Sequence, residues 1–175
     1  HGLVQTLELP LNGLKGSIPS EISALTSLYK LDLSNNSLNG SLPKSLAKLT
    51  GLRSLVLRGN ELGGQIPKDI VQQLGNLREL VLAENQFKGK IPSDIEHLIE
   101  IRALDLGSNQ LTGTVPALET LTKLQILILE DNQLVGKFPK SLTKLTLLVD
   151  LNLSKNHFTG VLPLDLVQLT RLGTF

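Results

Sequence analysis

Residues Leu28 to Leu52 read LYKLDLSNNSLNGSLPKSLAKLTGL, and the frame inside that stretch decides the fold. Leucines stand eight, five and three places before Asn36 and two places after it, with Gly40 at plus four and Pro43 at plus seven. The frame recurs around Asn12, Asn60, Asn85, Asn109, Asn132 and Asn156, at intervals of 23 to 25 residues, with other apolar residues standing in for some leucines. A period of this length means stacked copies of one small unit, each covered by its neighbours and not by itself.

Leu31 and Leu33 lie two apart, as in a strand that buries one face and turns Lys30, Asp32 and Ser34 outward. The alternation returns at Leu7/Leu9, Leu55/Leu57, Leu80/Leu82, Leu104/Leu106, Leu127/Leu129 and Leu151/Leu153, which predicts a parallel sheet of seven short strands. A side-chain amide carries both donors and an acceptor, so stacked asparagines are expected to satisfy the backbone of successive turns. Gly16, Gly40, Gly64, Gly89, Gly113, Gly136 and Gly160 mark tight backbone, and the prolines at plus seven mark where each coil leaves for its far side. The spacing Leu46, Leu49, Leu52 that follows suits a short 3₁₀ turn. The one extra residue between Ile70 and Leu77, and the one missing between Pro116 and Leu124, both fall in this far arc, where no ladder has to keep register.

The chain has 175 residues, 17 basic and 16 acidic, for a formal net charge of +1. That balance excludes nucleic-acid or anionic-membrane binding by general electrostatics, and no apolar run approaches the length of a membrane span. There is no cysteine, hence no disulfide or thiolate chemistry within these residues, and with no methionine and no signal-peptide pattern after His1 a processed form or a cut fragment is expected. The expectation is one repeat domain over residues 1–175, cut from a longer array: His1 to Val4 precede the first strand, and Thr174–Phe175 fall inside the start of an eighth unit. Three N-x-S/T sequons, at Asn35, Asn39 and Asn152, point to secretion and possible N-glycosylation.

The frame LxxLxLxxNxLxGxIP, seen from Leu28 to Pro43 and from Leu52 to Pro67, resembles the plant-type leucine-rich repeat. The resemblance covers nearly the whole chain. It implies an α/β solenoid: a right-handed superhelix of about seven repeats with a parallel concave sheet, a convex side of 3₁₀ or short helices, and a second short sheet near the Gly-x-Ile-Pro segments. It further implies part of the ectodomain of a receptor-like kinase or receptor-like protein, at the cell surface or secreted, although the family's cysteine-bearing caps have no counterpart here. The implied partner is a protein or peptide ligand or a co-receptor. The alternatives are a secreted inhibitor of cell-wall hydrolases and a cytoplasmic interaction scaffold. Ice binding ranks last, because the exposed columns vary too much for a lattice match.

Function is expected at the exposed strand positions, since the frame is committed to packing. Val56 and Val81 fall on neighbouring strands between the inward leucines, with Ile126 and Ile128 two coils on, an apolar centre of the kind that interfaces use. Arg53, Arg78 and Arg102 form one column that can grip carboxylates, sulfate or an acidic peptide, with Arg58 and Asp105 nearby and Tyr29 on the strand flank. Glu79, Glu84 and Asp105 are placed to neutralise that column. No catalytic residue, cofactor or metal set is read: His1, His97 and His157 stand in unrelated settings, and the glycines are spread one per coil. Uncapped leucine-lined ends predict self-association.

Overall fold

The computed structural model describes residues 3–173; His1, Gly2 and Thr174–Phe175 lie outside them. Seven three-residue strands form one parallel sheet in chain order: Thr6–Glu8, Lys30–Asp32, Ser54–Val56, Glu79–Val81, Ala103–Asp105, Ile126–Ile128 and Asp150–Asn152. The register never slips. Leu7, Leu31, Leu55, Leu80, Leu104, Leu127 and Leu151 are direct partners across it, and all but Leu7 are buried. Each fully covered leucine contributes about 1.5–3 kcal/mol, and it is the adjacent coils that cover it.

A second seven-stranded parallel sheet is built from the segments after each asparagine: Lys15–Gly16, Ser37–Ser41, Glu61–Gly64, Gln86–Lys90, Gln110–Gly113, Gln133–Lys137 and His157–Thr159. The plus-four glycines of all seven coils have positive φ, between 78° and 102°. An added Cβ at Gly113 would also lie 3.0 Å from Lys90 Cγ of the preceding coil. Conformation and close approach both require glycine there.

The far side carries 3₁₀ turns at Ser20–Ala24, Lys44–Lys48, Ser93–His97, Lys140–Lys144 and Leu164–Gln168. The coil with the extra residue makes the α-helix Lys68–Gln73 instead, its end closed by Leu74 N–H donating to Ile70 O at 3.0 Å, one residue further back than Leu49 N–H to Leu46 O in a regular coil. The helix also turns Val71 into the core. In the coil with the missing residue Leu118 follows Pro116 directly after Ala117, and only isolated turns remain, such as Leu121 N–H to Leu118 O at 2.9 Å. The length changes are absorbed in this arc while both sheets keep register.

The asparagines stitch the coils together. Asn85 Oδ1 accepts from Leu62 N–H of the preceding coil at 3.0 Å, and its Nδ2 donates to Leu57 O of that coil and to Leu82 O and Ala83 O of its own. Asn36, Asn60, Asn109, Asn132 and Asn156 repeat the pattern, so Leu33 O and Leu57 O each accept from two successive side chains. The Asn12 side chain donates to Pro10 O, while its backbone N–H donates to Asn36 Oδ1 of the next coil. The residue before every one of these asparagines is left-handed, with φ from 48° to 67°, although only Gly59 is a glycine; Leu11, Asn35, Glu84, Ser108, Asp131 and Lys155 are not. The turn holds ordinary residues in a strained conformation because the amide network on both sides fixes it.

Candidate ligand-binding face

Because the leucines of the first sheet point inward, the residues between and beside them face out as columns that run across the strands. One column reads Glu8, Asp32, Val56, Val81, Asp105, Ile128 and Asn152, and the next Thr6, Lys30, Ser54, Glu79, Ala103, Ile126 and Asp150. Val56 and Val81 are direct cross-strand partners, and both are half-buried. Ile126 is the more open, 39% exposed, and beside it Val149 is 45% exposed. Val149 stands in the column of the arginines, its N–H donating to the carbonyl of Gln125, the residue before Ile126.

Arg53, Arg78 and Arg102 are all exposed on successive coils, joined through the backbone by Arg78 N–H to Arg53 O and Arg102 N–H to Arg78 O, each 2.8 Å. Tyr29, 42% exposed, heads the same column, with Arg53 N–H donating to its carbonyl. The expected neutralisation of this column is not what the structure shows. Glu79 accepts from Ser54 Oγ at 2.6 Å, while Glu84 and Asp105 both pair with Arg58 on the opposite side of the strands. Arg58, fixed one residue past its strand, is closer to both acids than any column arginine, and its guanidinium is held above its ordinary range chiefly by the Glu84 hydrogen bond.

The expected outward placement of Ser34 is also corrected. Its hydroxyl donates to Asp32 Oδ1 at 2.7 Å and the residue is buried, as are Ala83 and Gly107 in the same column. Here the chain is already turning toward the asparagine, and small side chains are overtopped by larger neighbours. A Cβ on Gly107 would lie 3.3 Å from Asp105 Oδ1, Glu130 Cγ and Ile128 Cγ2 alike. The consequence is a hollow of about 210 Å³ over Ala83 and Gly107, walled by Arg58, Asp105, Ile128 and Glu130. Burial is the main cause that pushes the Asp105 carboxyl up, with Gly107 N–H and Arg58 opposing and Glu130 and Glu84 adding to it. The only sign of the hollow in the sequence is the run of small residues Ala83 and Gly107 in one column. A wider trough of about 1240 Å³ runs along the far flank over Leu42, Ile66 and Ile91, beside the proline row.

Of the sequons, Asn39 is exposed on the second sheet, Asn35 is exposed in its left-handed turn, and Asn152 is half-buried, its amide donating to Glu130 and its Oδ1 accepting from Ser154. His97 is exposed with Nδ1 2.9 Å from Asp94 O, far along the chain's helical arc from the exposed His157 of the second sheet. Phe87 is fully buried, and Phe138 and Phe158 pack against the core half-buried.

Family models described as leucine rich repeat match residues 3–62, and again residues 76–98, 123–145 and 147–169. The chain belongs to the leucine-rich repeat family. It is of the plant type, and its solved neighbours include plant receptors. A TDR receptor is 29% identical with a TM-score of 0.94, over 97% of this chain and 30% of that one. The Arabidopsis receptor kinase HAESA, solved with the peptide hormone IDA and the co-receptor SERK1, is 35% identical with a TM-score of 0.79, over 98% of this chain and 33% of that one. A plant ice-binding protein is 30% identical with a TM-score of 0.80, over 98% of this chain and 63% of that one. This leucine-rich repeat chain therefore spans about a third of the length of the two receptors. No curated protein matches it by sequence.

Proposed function

We propose that the concave sheet of this leucine-rich repeat docks a peptide or protein partner, as an extracellular ligand-binding stretch of a receptor-like protein. The reading rests on one observation: the outward face carries apolar side chains, Val56 against Val81 and Ile126 beside Val149, between charged columns that the fold leaves open to solvent. An apolar centre with a polar rim is what a docking surface needs. The neighbour HAESA, solved with a peptide hormone and a co-receptor, supports a partner of the same kind. Tyr29, Arg58, Asp105 and Ile128 complete the surface. No enzymatic step on the ligand is involved; recognition is by complementary docking, and any signal passes through other parts of a longer protein. Ice binding would need outward columns that repeat one side chain, and the outward columns of this face vary from coil to coil.

The test compares the parent chain with V81Q/I126Q on the face and K48Q on the far side, each confirmed folded by circular dichroism. Peptides and proteins from extracellular fluid of the source tissue are captured and identified by mass spectrometry. A ligand held by the parent and K48Q but lost by V81Q/I126Q is the expected result. A ligand that V81Q/I126Q holds undiminished would remove the concave face from consideration.

A further inference from the structure

The arginine column is a set of charges on the face that no ion pair of the described residues uses. Among the described residues none of the guanidinium groups of Arg53, Arg78 and Arg102 takes part in an ion pair. The nearby carboxylates are engaged elsewhere: Glu79 with Ser54, Glu84 and Asp105 with Arg58, Glu100 with Lys123 at 2.6 Å. Like charges stand on three successive rungs, an arrangement that is mildly unfavourable in a sheet. Their field reaches their surroundings: the Glu100 carboxyl is held below its ordinary range first by the Lys123 hydrogen bond, against some burial, and further by the Lys123, Arg78 and Arg102 charges.

Geometry narrows what can answer those charges. Adjacent rungs of a sheet lie about 4.8 Å apart, so Arg53 and Arg102, two rungs apart, are separated by about 9.6 Å. A β-strand ligand running along the column presents same-side groups every two residues, about 6.7 Å, which matches neither one rung nor two. A polyproline II segment has three residues per turn at about 3.1 Å each, so same-side groups recur at about 9.3 Å. Its backbone makes no internal hydrogen bonds, which leaves carbonyls free for Arg78 between the outer two arginines. Tyr29, one rung before Arg53, offers an aromatic face of the kind that proline-rich segments dock against.

Resting on the reading of the concave sheet as the docking face, we propose that the column takes an acidic peptide segment in polyproline II conformation. Carboxylates three residues apart sit on Arg53 and Arg102, and a proline packs on Tyr29.

The experiment uses the full chain and a fluorescein-labelled peptide with the core Pro-Glu-Pro-Pro-Glu-Pro, followed by fluorescence anisotropy at fixed low salt. The glutamine counterpart and a peptide with the two glutamates two residues apart serve as controls. The matched peptide is expected to bind saturably, with both controls at least about fivefold weaker, and with R53Q and R102Q each weakening it about tenfold, the scale of one charge-assisted hydrogen bond. Absence of saturable binding, equal binding of both glutamate spacings, or arginine variants that bind like the parent overturns the proposal. So does a result in which only an acidic polysaccharide such as polygalacturonate competes for the column. The two readings separate on a captured natural ligand. If V81Q/I126Q loses it while R53Q/R78Q/R102Q keeps it, the concave face stands and the acidic segment falls. If neither variant loses it, both fall.

Discussion

Replacing Asn85 by alanine tests how far the fold depends on its amide ladder. Four hydrogen bonds disappear, but they are not equivalent. Leu57 O keeps a partner in Asn60 Nδ2 at 3.0 Å, Leu82 O keeps Asn109 Nδ2 at 3.1 Å, and Ala83 O keeps Gly59 N–H at 3.0 Å. Leu62 N–H loses its acceptor and sits in a fully buried residue. One orphaned buried donor costs about 1–3 kcal/mol, and weakening three shared acceptors adds about 0.5 kcal/mol each, so the expected loss is about 3 kcal/mol. Asn12→Ala, which removes a single exposed bond to Pro10 O, should cost about 0.5 kcal/mol. Urea unfolding followed by circular dichroism gives both values, and hydrogen exchange should show the Leu62 amide losing protection in the first variant alone. Asn85→Asp sharpens the test, because it keeps an acceptor for Leu62 N–H but sets a carboxylate against three carbonyls. Its folded pKa must rise, so its stability is fullest in acid, where the carboxyl can donate, and falls as pH rises through that pKa. Equal costs for Asn85→Ala and Asn12→Ala, or a Leu62 amide that stays protected, would refute the account of the ladder.

Asp105→Asn keeps the acceptor for Gly107 N–H and removes a charge that burial disfavours. It should be more stable than the parent near neutral pH, with the advantage shrinking as the pH falls through the raised Asp105 pKa; urea titrations at a series of pH values check this, and an advantage that grows in acid contradicts it. Lys155→Gly relieves a left-handed non-glycine residue and should be neutral or stabilising by up to about 1 kcal/mol, whereas Gly59→Ala would place a Cβ 2.5 Å from Asn35 Oδ1 and should destabilise, both measurable by thermal melting. The chain made alone should self-associate through its end coils, where Leu164 is 91% and Val167 82% exposed; light scattering should show L164Q/V167Q returning it toward monomer, and a parent that is already monomeric counts against this.

Much of the fold was readable because the frame repeats the same physical demand seven times. Leu31 and its counterparts must face one way, the plus-four glycines must take positive φ, and length changes must fall where no ladder runs; all three are found. What could not be read was set by neighbours in space and not by type. The left-handed position before each asparagine is filled by Leu, Asn, Gly, Glu, Ser, Asp and Lys, which share no propensity, because the amide bonds on either side impose the turn. Alternation alone puts Ser34 on the outer face, yet it is buried, its hydroxyl turned back onto Asp32.

The candidate site was less legible for a related reason. An exposed ion pair is worth about 0–1 kcal/mol, so packing places almost no constraint on which acid meets which arginine, and the pairing cannot be deduced from column positions. That freedom decided the outcome here. Arg58 lies on the side to which Glu84 and Asp105 turn, and takes both, which leaves Arg53, Arg78 and Arg102 exposed in a row. A stability argument predicts the opposite arrangement, with acids set among the bases as Glu8 is for Lys30, which it meets diagonally across the first two strands. Three like charges in register gain nothing for the folded chain. Their alignment makes sense if an anionic group from another molecule completes the column.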